Sequence, residues 1–245
     1  SNNMKIIMIH GRDQQGKNPK ALRQTWIDTL NEGLGKHGLK LPEEQEIIFP
    51  FYGDMLDSLV NPDDIGKAVA GVIAKGVLPD RELPFLYEVL NDIAQNAGIS
   101  DTEIAQHANM QVTEKGVLNW KWVEGIIRAI DAHTPFGDAT LKRFTYDVFI
   151  YLTMPNVRKK INEFVTSAID DTPCVVVAHS LGTVVGYDVL CGLAGAQVAK
   201  YITVGSPLGI NSIKSKLKQP LCMPACVANG WYNAYDQRDV VALNP

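Results

Sequence analysis

The fold is decided by the stretch Cys174-Val175-Val176-Val177-Ala178-His179-Ser180-Leu181-Gly182. A short β-branched run ends at His179, and a segment compatible with a helix begins directly after Ser180. This pattern predicts a buried parallel strand, a one-residue elbow and a helix. The elbow lifts Ser180 off the end of the sheet, and the backbone N–H of Leu181 then supplies half of an oxyanion hole. The alternative is an ordinary strand followed by a serine that caps the next helix, where serine is favoured.

The run from Ala178 to Gly182 resembles the Gly-x-Ser-x-Gly nucleophile elbow of the α/β-hydrolase superfamily, in particular of its lipase- and esterase-like members. Ala178 stands in place of the first glycine, and alanine adds the smallest side chain to that tight turn. The resemblance implies a serine hydrolase that cleaves a carboxylic ester through an acyl-enzyme on Ser180, without a metal or an organic cofactor. A thioesterase or an amidase is an alternative enzyme, and a catalytically silent binding module is the alternative outside the enzymes.

A second candidate loop follows the first predicted strand, residues 5–9. The strand runs into His10-Gly11, which resembles the oxyanion loop of many lipases and esterases. In that family the N–H of the residue after His-Gly is the second oxyanion donor, which implies Arg12 here, with Asp13 as the second choice. A plain glycine-containing turn is the alternative.

The acid of a catalytic triad is expected after the last predicted strand, residues 231–235. The resemblance places this acid in the following loop, often as Asp-x-Val, and that pattern favours Asp239 over Asp236. A charged turn is the alternative. The Gly205-Ser206-Pro207 turn resembles the turn that follows the preceding core strand in lipase-like hydrolases, where it forms a wall beside the nucleophile.

The base that would activate Ser180 is missing from the sequence pattern. In the family the order is serine, acid, histidine, and no histidine follows Asp239. His179 projects from a different position of the elbow and His10 lies in the oxyanion loop, so neither is a convincing base. We therefore expect the protein to continue beyond Pro245, with the catalytic histidine in that tail. A hydrolase fold without a base is the alternative.

The domain organisation follows from a change of pattern along the chain. Core patterns cover residues 4–54 and 146–245, where helices are predicted over 19–34 and 157–169, strands over 46–52 and 200–204, and an apolar run over 147–152 marks the return to the core. Between them, residues 55–145 show only helical periodicity, over 65–74, 83–97, 102–110 and 118–132. The expected fold is α/β, a mostly parallel sheet with helices on both faces and an inserted helical cap. His107 and His133 are expected on the surface of that cap.

Composition narrows the possible partners. The 245 residues carry a net charge of −4, which argues against nucleic acid or an anionic membrane as the main partner. No apolar stretch is long enough to cross a bilayer, and Met4 leads directly into a strand, without room for a signal peptide. The four cysteines lack metal-ligand spacing. We expect a cytoplasmic protein that takes a small-molecule or lipid ester, and the sequence does not indicate its oligomeric state.

Overall fold

The sheet is the centre of the structure, a computed structural model that describes residues 4–11, 18–53, 83–116, 119–133, 138–217 and 220–235. Five strands in these residues form one fully parallel sheet in the order β2-β1-β3-β4-β5. They are β1 (Lys5–Ile9), β2 (Ile47–Ile48), β3 (Cys174–His179), β4 (Val198–Val204) and β5 (Trp231–Ala234). The chain is therefore an α/β protein, and its predicted strands are confirmed, although β2 is shorter than residues 46–52. Pro50 explains the short strand, because proline has no N–H to donate to a sheet.

Eight helices accompany the sheet in the described residues. They are α1 (Pro19–Gly35), α2 (Leu83–Asn96), α3 (Asp101–Ala108), α4 (Trp120–His133), α5 (Asp138–Thr153), α6 (Pro155–Thr166), α7 (Leu181–Cys191) and α8 (Asn211–Lys214). Six predicted helices are confirmed: the helix that follows Ser180, and five with predicted ranges whose ends agree to within three residues. The helix predicted over 65–74 lies outside the described residues. None of the described helices has the length and apolar character needed to span a membrane.

The apolar run over 147–152 contributes a helix to the core and no strand. It forms the second half of α5, which begins at Asp138, so one continuous helix crosses the domain boundary predicted at residue 145. Val148, Ile150 and Tyr151 are at most 1% exposed. A helix enclosed on nearly all sides reads as a continuous apolar run, and periodicity alone does not distinguish such a run from a buried strand.

Helices lie against both faces of the sheet. One face of the sheet carries Ile7 and Ile9 of β1 and Val176 and Ala178 of β3, and these residues join the same hydrophobic core as Val184 of α7. His179 follows Ala178 and therefore points to the other face. Its ring lies 6.1 Å from that of Trp26 on α1, and none of the residues of α1 is fully buried.

The helices between β2 and β3 reach the sheet through α7. In the described residues α3 packs on α4, α2 and α4 pack on α5, and α5 packs on α6 and α7, which lies on β1 and β3. Helix α2 also packs on α8, and the Asp92 carboxylate accepts a hydrogen bond of 3.0 Å from the backbone N–H of Ser212. This contact fastens the helical region to the segment that follows β4.

A half-buried ion pair joins α6 to α7. Nε and Nη2 of Arg158 donate to the Asp188 carboxylate at 2.7 and 2.6 Å, and the Asn162 amide and the Tyr151 hydroxyl donate to the same carboxylate at 2.6 and 3.0 Å. Burial by itself would raise the pKa of Asp188, but the hydrogen bonds from Arg158 and Asn162 outweigh burial and hold the pKa below its usual value. The carboxylate is thus bound in its charged form.

We expect Asp188→Asn to lower the free energy of unfolding by about 2 kcal/mol at neutral pH, because it weakens charge-assisted hydrogen bonds. A lowered folded-state pKa means that this contribution is present above the pKa of an unfolded aspartate, about 4, and is lost as the pH falls below it. Urea unfolding at pH 7 and at pH 3 should show the difference between variant and parent shrinking at pH 3. Asp171→Asn, at an exposed position, is the control and should be near neutral. An Asp188→Asn effect of the same size at both pH values would contradict this assignment.

Candidate functional site

Ser180 lies at the apex of a sharp turn between β3 and α7, at the carboxyl edge of the sheet. Its backbone has φ 53° and ψ −127°, a conformation that a residue with a side chain rarely adopts. Such strain is stored at functional sites more often than elsewhere. β1 and β3 are neighbours in the sheet, and the strand that follows each of them lies on its outer side, so the strand order reverses between them. Open α/β sheets bind ligands outside the carboxyl ends of the strands at such a point.

Ser180 does not have the geometry of a serine that caps a helix. A capping serine has extended backbone angles and accepts a hydrogen bond from the helix on its side chain. Asn18, Ser100 and Ser206 cap their helices in this way, with φ between −71° and −82°. Ser180 has a positive φ, and its side chain makes no capping hydrogen bond. The alternative of a simple capping serine is therefore wrong.

Two glycines allow the backbone to come close to the elbow. A Cβ on Gly182 would lie 2.3 Å from the carbonyl oxygen of Ile9, and a Cβ on Gly11 would lie 3.0 Å from the Cβ of Ser180. The same Cβ on Gly11 would lie 3.2 Å from the backbone nitrogen of Leu181. The end of β1 thus rests directly on the elbow, and a side chain at Gly11 would crowd the backbone nitrogen of Leu181.

Hydrogen bonds behind the elbow hold its backbone in place. The Ser180 carbonyl accepts from both the backbone N–H and the hydroxyl of Thr183, at 3.0 and 2.7 Å. The Thr183 hydroxyl is also 2.8 Å from that of Ser206, and the Tyr201 hydroxyl donates to the Thr183 carbonyl at 2.6 Å. The predicted Gly205–Pro207 turn therefore adjoins the elbow through Ser206, as a buried support.

Tyr52 fixes the end of β1, and sequence reasoning assigned it only to a strand. Its side chain is fully buried, and its hydroxyl donates a hydrogen bond to the His10 carbonyl. Burial, with a smaller contribution from the charge of Asp147, raises the pKa of Tyr52, so the hydroxyl remains a donor. In the sequence, Tyr52 is distinguished only by its position between Pro50 and Gly53, where the predicted strand ends.

We expect Tyr52→Phe to lower kcat about 10- to 100-fold in an ester-hydrolysis assay, with KM little changed, because a small displacement of His10-Gly11 would move the oxyanion donors that the resemblance implies. The matched control is Tyr232→Phe, whose ring is 53% exposed and lies over Lys200, and this variant should retain full activity. Equal kcat in Tyr52→Phe and the parent would contradict a positioning role for Tyr52.

The two histidines at the site contact each other on the α1 side of the sheet. The rings of His10 and His179 are 5.1 Å apart, and that of His10 lies 4.9 Å from Trp26. Nδ1 of His10 is hydrogen-bonded to the carbonyl of Gly11 at 2.7 Å. Burial, together with the charge of His10, lowers the pKa of His179 to about 4, and its Nδ1 is buried without a partner among the described residues. His179 is therefore neutral at pH 7.

The remaining histidines lie on other elements. His37 follows α1, His107 is in the last turn of α3, and His133 ends α4, where its Nε2 is 2.5 Å from the Glu103 carboxylate. In the part of the chain that the structure describes, no group of three or more His, Cys, Asp or Glu side chains could hold a metal ion.

The carboxyl ends of three strands meet beside Ser180. The Ser180 N–H donates to the Val204 carbonyl, and the Gly205 N–H donates to the Ala234 carbonyl, each at 3.0 Å. Tyr235, the last described residue, therefore follows β5 at the same edge of the sheet, two strands and about 10 Å from the elbow. Four predicted site residues lie outside the described residues: Arg12, Asp13, Asp236 and Asp239.

Together these observations define an α/β protein with a strained serine elbow at the carboxyl edge of a parallel sheet. A comparison of the chain with protein-family models, with curated proteins and with solved structures found no match.

Proposed function

We propose that the protein is a serine hydrolase that cleaves a carboxylic ester through an acyl-enzyme on Ser180, in an α/β-hydrolase core. The observation that carries the proposal is the backbone of Ser180, with φ 53° and ψ −127° and no capping hydrogen bond. A strained serine whose side chain does not cap the helix needs another reason for its conformation, and presentation of a nucleophile is such a reason.

The chemistry would proceed in two steps. The Ser180 hydroxyl attacks the ester carbonyl and loses its proton to a histidine base, and collapse of the tetrahedral intermediate releases the alcohol. Water then attacks the acyl-enzyme with the same base and releases the acid. The N–H groups of Leu181 and Arg12 are proposed to bind the oxyanion, and Asp239, or Asp236 as second choice, to orient the histidine base.

Two features support this arrangement. Gly11 brings the end of β1 against the elbow, and Arg12, the proposed second donor, is the next residue in the chain. The contact between Asp92 and Ser212 ties α2 to the segment after β4, close to the turn that carries Ser206. We propose that residues 55–145 form a cap that shapes the substrate pocket.

The direct test is labelling of the full-length protein with a fluorophosphonate, followed by mapping of the modified peptide. Covalent modification of Ser180, absent in Ser180→Ala and retained in Ser100→Ala, is the expected result. Ester substrates of varied acyl length would then define the preference. Failure of the parent protein to react would favour the catalytically silent binding module. Labelling without ester hydrolysis, but with hydrolysis of thioesters or amides, would favour those substrate classes.

A further inference from the structure

The Ser180 carbonyl accepts two hydrogen bonds from one residue. The backbone N–H of Thr183 donates to it at 3.0 Å, and the Thr183 hydroxyl donates at 2.7 Å. A hydroxyl has a single hydrogen and a carbonyl oxygen cannot donate, so the hydroxyl hydrogen of Thr183 is used in the bond to Ser180. The Thr183 hydroxyl oxygen therefore accepts from the Ser206 hydroxyl, 2.8 Å away.

These groups form a chain of hydrogen bonds that all run toward the elbow. The Leu208 N–H donates to Ser206 Oγ at 3.2 Å, the Ser206 hydroxyl donates to Thr183, and Thr183 donates to the Ser180 carbonyl. Thr183 is fully buried and Ser206 is 3% exposed. In a buried chain each hydrogen bond polarises the next, so the bond from Thr183 to Ser180 is stronger than an isolated one.

Thr183 is itself held by β4. The Tyr201 hydroxyl donates to the Thr183 carbonyl at 2.6 Å, and Tyr201 is fully buried. A Cβ on Gly186 would lie 2.6 Å from that hydroxyl oxygen, so the glycine leaves the space that the phenol needs. The first turn of α7 is thus fixed from the sheet as well as from the Ser206 turn.

The Ser180 carbonyl belongs to the same peptide group as the Leu181 N–H. In a planar trans peptide the C=O and N–H bonds point in opposite directions. Donors that hold the carbonyl toward α7 therefore direct the N–H away from α7. Among the described residues the Leu181 N–H has no backbone acceptor, as is usual at the start of a helix. Hydrogen bonds to the carbonyl also polarise the peptide group and make its N–H a better donor.

We propose that Thr183 is a positioning residue that directs and polarises the Leu181 N–H as an oxyanion donor. The inference rests on the proposed ester hydrolysis, in which Leu181 binds the oxyanion. The negative charge on that oxygen develops only as the tetrahedral intermediate forms. Loss of the Thr183 hydroxyl should therefore lower kcat and leave KM little changed.

The test compares Thr183→Val, which keeps the shape of the side chain and removes the hydroxyl, with Thr183→Ser, which keeps the hydroxyl. In ester hydrolysis by the full-length protein we expect Thr183→Val to lower kcat about 10-fold with KM little changed, and Thr183→Ser to retain kcat. Thr153→Val is the matched control. The Thr153 hydroxyl also donates to a backbone carbonyl at 2.7 Å, that of Phe149, but at the end of α5, so this variant should retain the activity of the parent.

A second measurement does not depend on catalysis. The chemical shift of a backbone amide nitrogen responds to hydrogen bonds at the carbonyl of its own peptide group. In NMR spectra of the folded, full-length protein, the Leu181 amide nitrogen should therefore move upfield in Thr183→Val and stay in place in Thr183→Ser. If Thr183→Val does not fold, Ser206→Ala, which removes the donor to Thr183, should move the same resonance in the same direction by a smaller amount.

The proposal would be overturned by an unmoved Leu181 resonance in Thr183→Val, or in Ser206→Ala where it takes its place. In an active parent it would also be overturned by a kcat of Thr183→Val equal to that of the parent, or by an equal loss in Thr183→Ser. A parent that neither reacts with the fluorophosphonate nor hydrolyses esters would contradict the proposed function. The amide nitrogen shift would even then decide whether the Thr183 hydroxyl acts on the Leu181 peptide group.

Discussion

Ser180→Ala is expected to abolish ester hydrolysis, with a loss of about a millionfold in kcat if the serine works within a complete triad. Substrate binding and the circular dichroism spectrum should be unchanged, because the hydroxyl makes no capping hydrogen bond with α7. Activity should be measured on the full-length protein with the ester that the acyl-length panel identifies. Hydrolysis by Ser180→Ala at a rate near that of the parent would contradict the proposed mechanism.

Ser180→Gly separates the chemical role of the residue from its backbone strain. Like the alanine variant, it lacks the nucleophile and should be inactive. Glycine tolerates φ 53° without a steric penalty, so its free energy of unfolding should exceed that of Ser180→Ala by about 1 kcal/mol. Equal stability of the two variants would mean that the elbow holds little strain.

Local patterns predicted most of the described fold. The β-branched run before His179, the helical spacing after Pro19 and the glycine after β1 each specify structure through their immediate neighbours, and the structure confirms them. The secondary structure of residues 147–152 was harder to predict. Other helices enclose this part of α5, so it lacks the polar face that distinguishes a helix from a strand. Such burial depends on tertiary packing, so the sequence of a single segment does not reveal it.

The candidate site likewise has parts that the sequence predicts and parts that it does not. The elbow and its serine could be predicted because one short stretch forms them. Tyr52 could not, since its bond to the His10 carbonyl joins residues 42 positions apart. The contact between the hydroxyls of Thr183 and Ser206 joins residues 23 positions apart, and a single sequence does not pair such positions. The roles of Asp239 and Arg12 stay predictions from the resemblance.

Gly182→Ala is expected to destabilise the protein by about 3 kcal/mol or more, which is the largest effect on stability that we expect from a single added methyl group. The new Cβ would lie 2.3 Å from the Ile9 carbonyl oxygen and 2.8 Å from the carbonyl carbon of His10. Both atoms belong to backbone at the end of β1, which side-chain rotation cannot move. Relief of the clash therefore requires β1 and α7 to separate, and that movement would also displace Ser180 from Gly11.

The same substitution at Gly33 provides the control for the Gly182 prediction. Gly33 lies in α1, and a Cβ there would meet no atom within 4 Å. Alanine favours a helix over glycine by up to about 1 kcal/mol, so Gly33→Ala should raise the free energy of unfolding by up to that amount. Chemical unfolding should show a lower free energy of unfolding than the parent for Gly182→Ala and a higher one for Gly33→Ala. A stabilised Gly182→Ala would show that β1 does not rest on the elbow, and the proposed oxyanion hole would lose its structural basis.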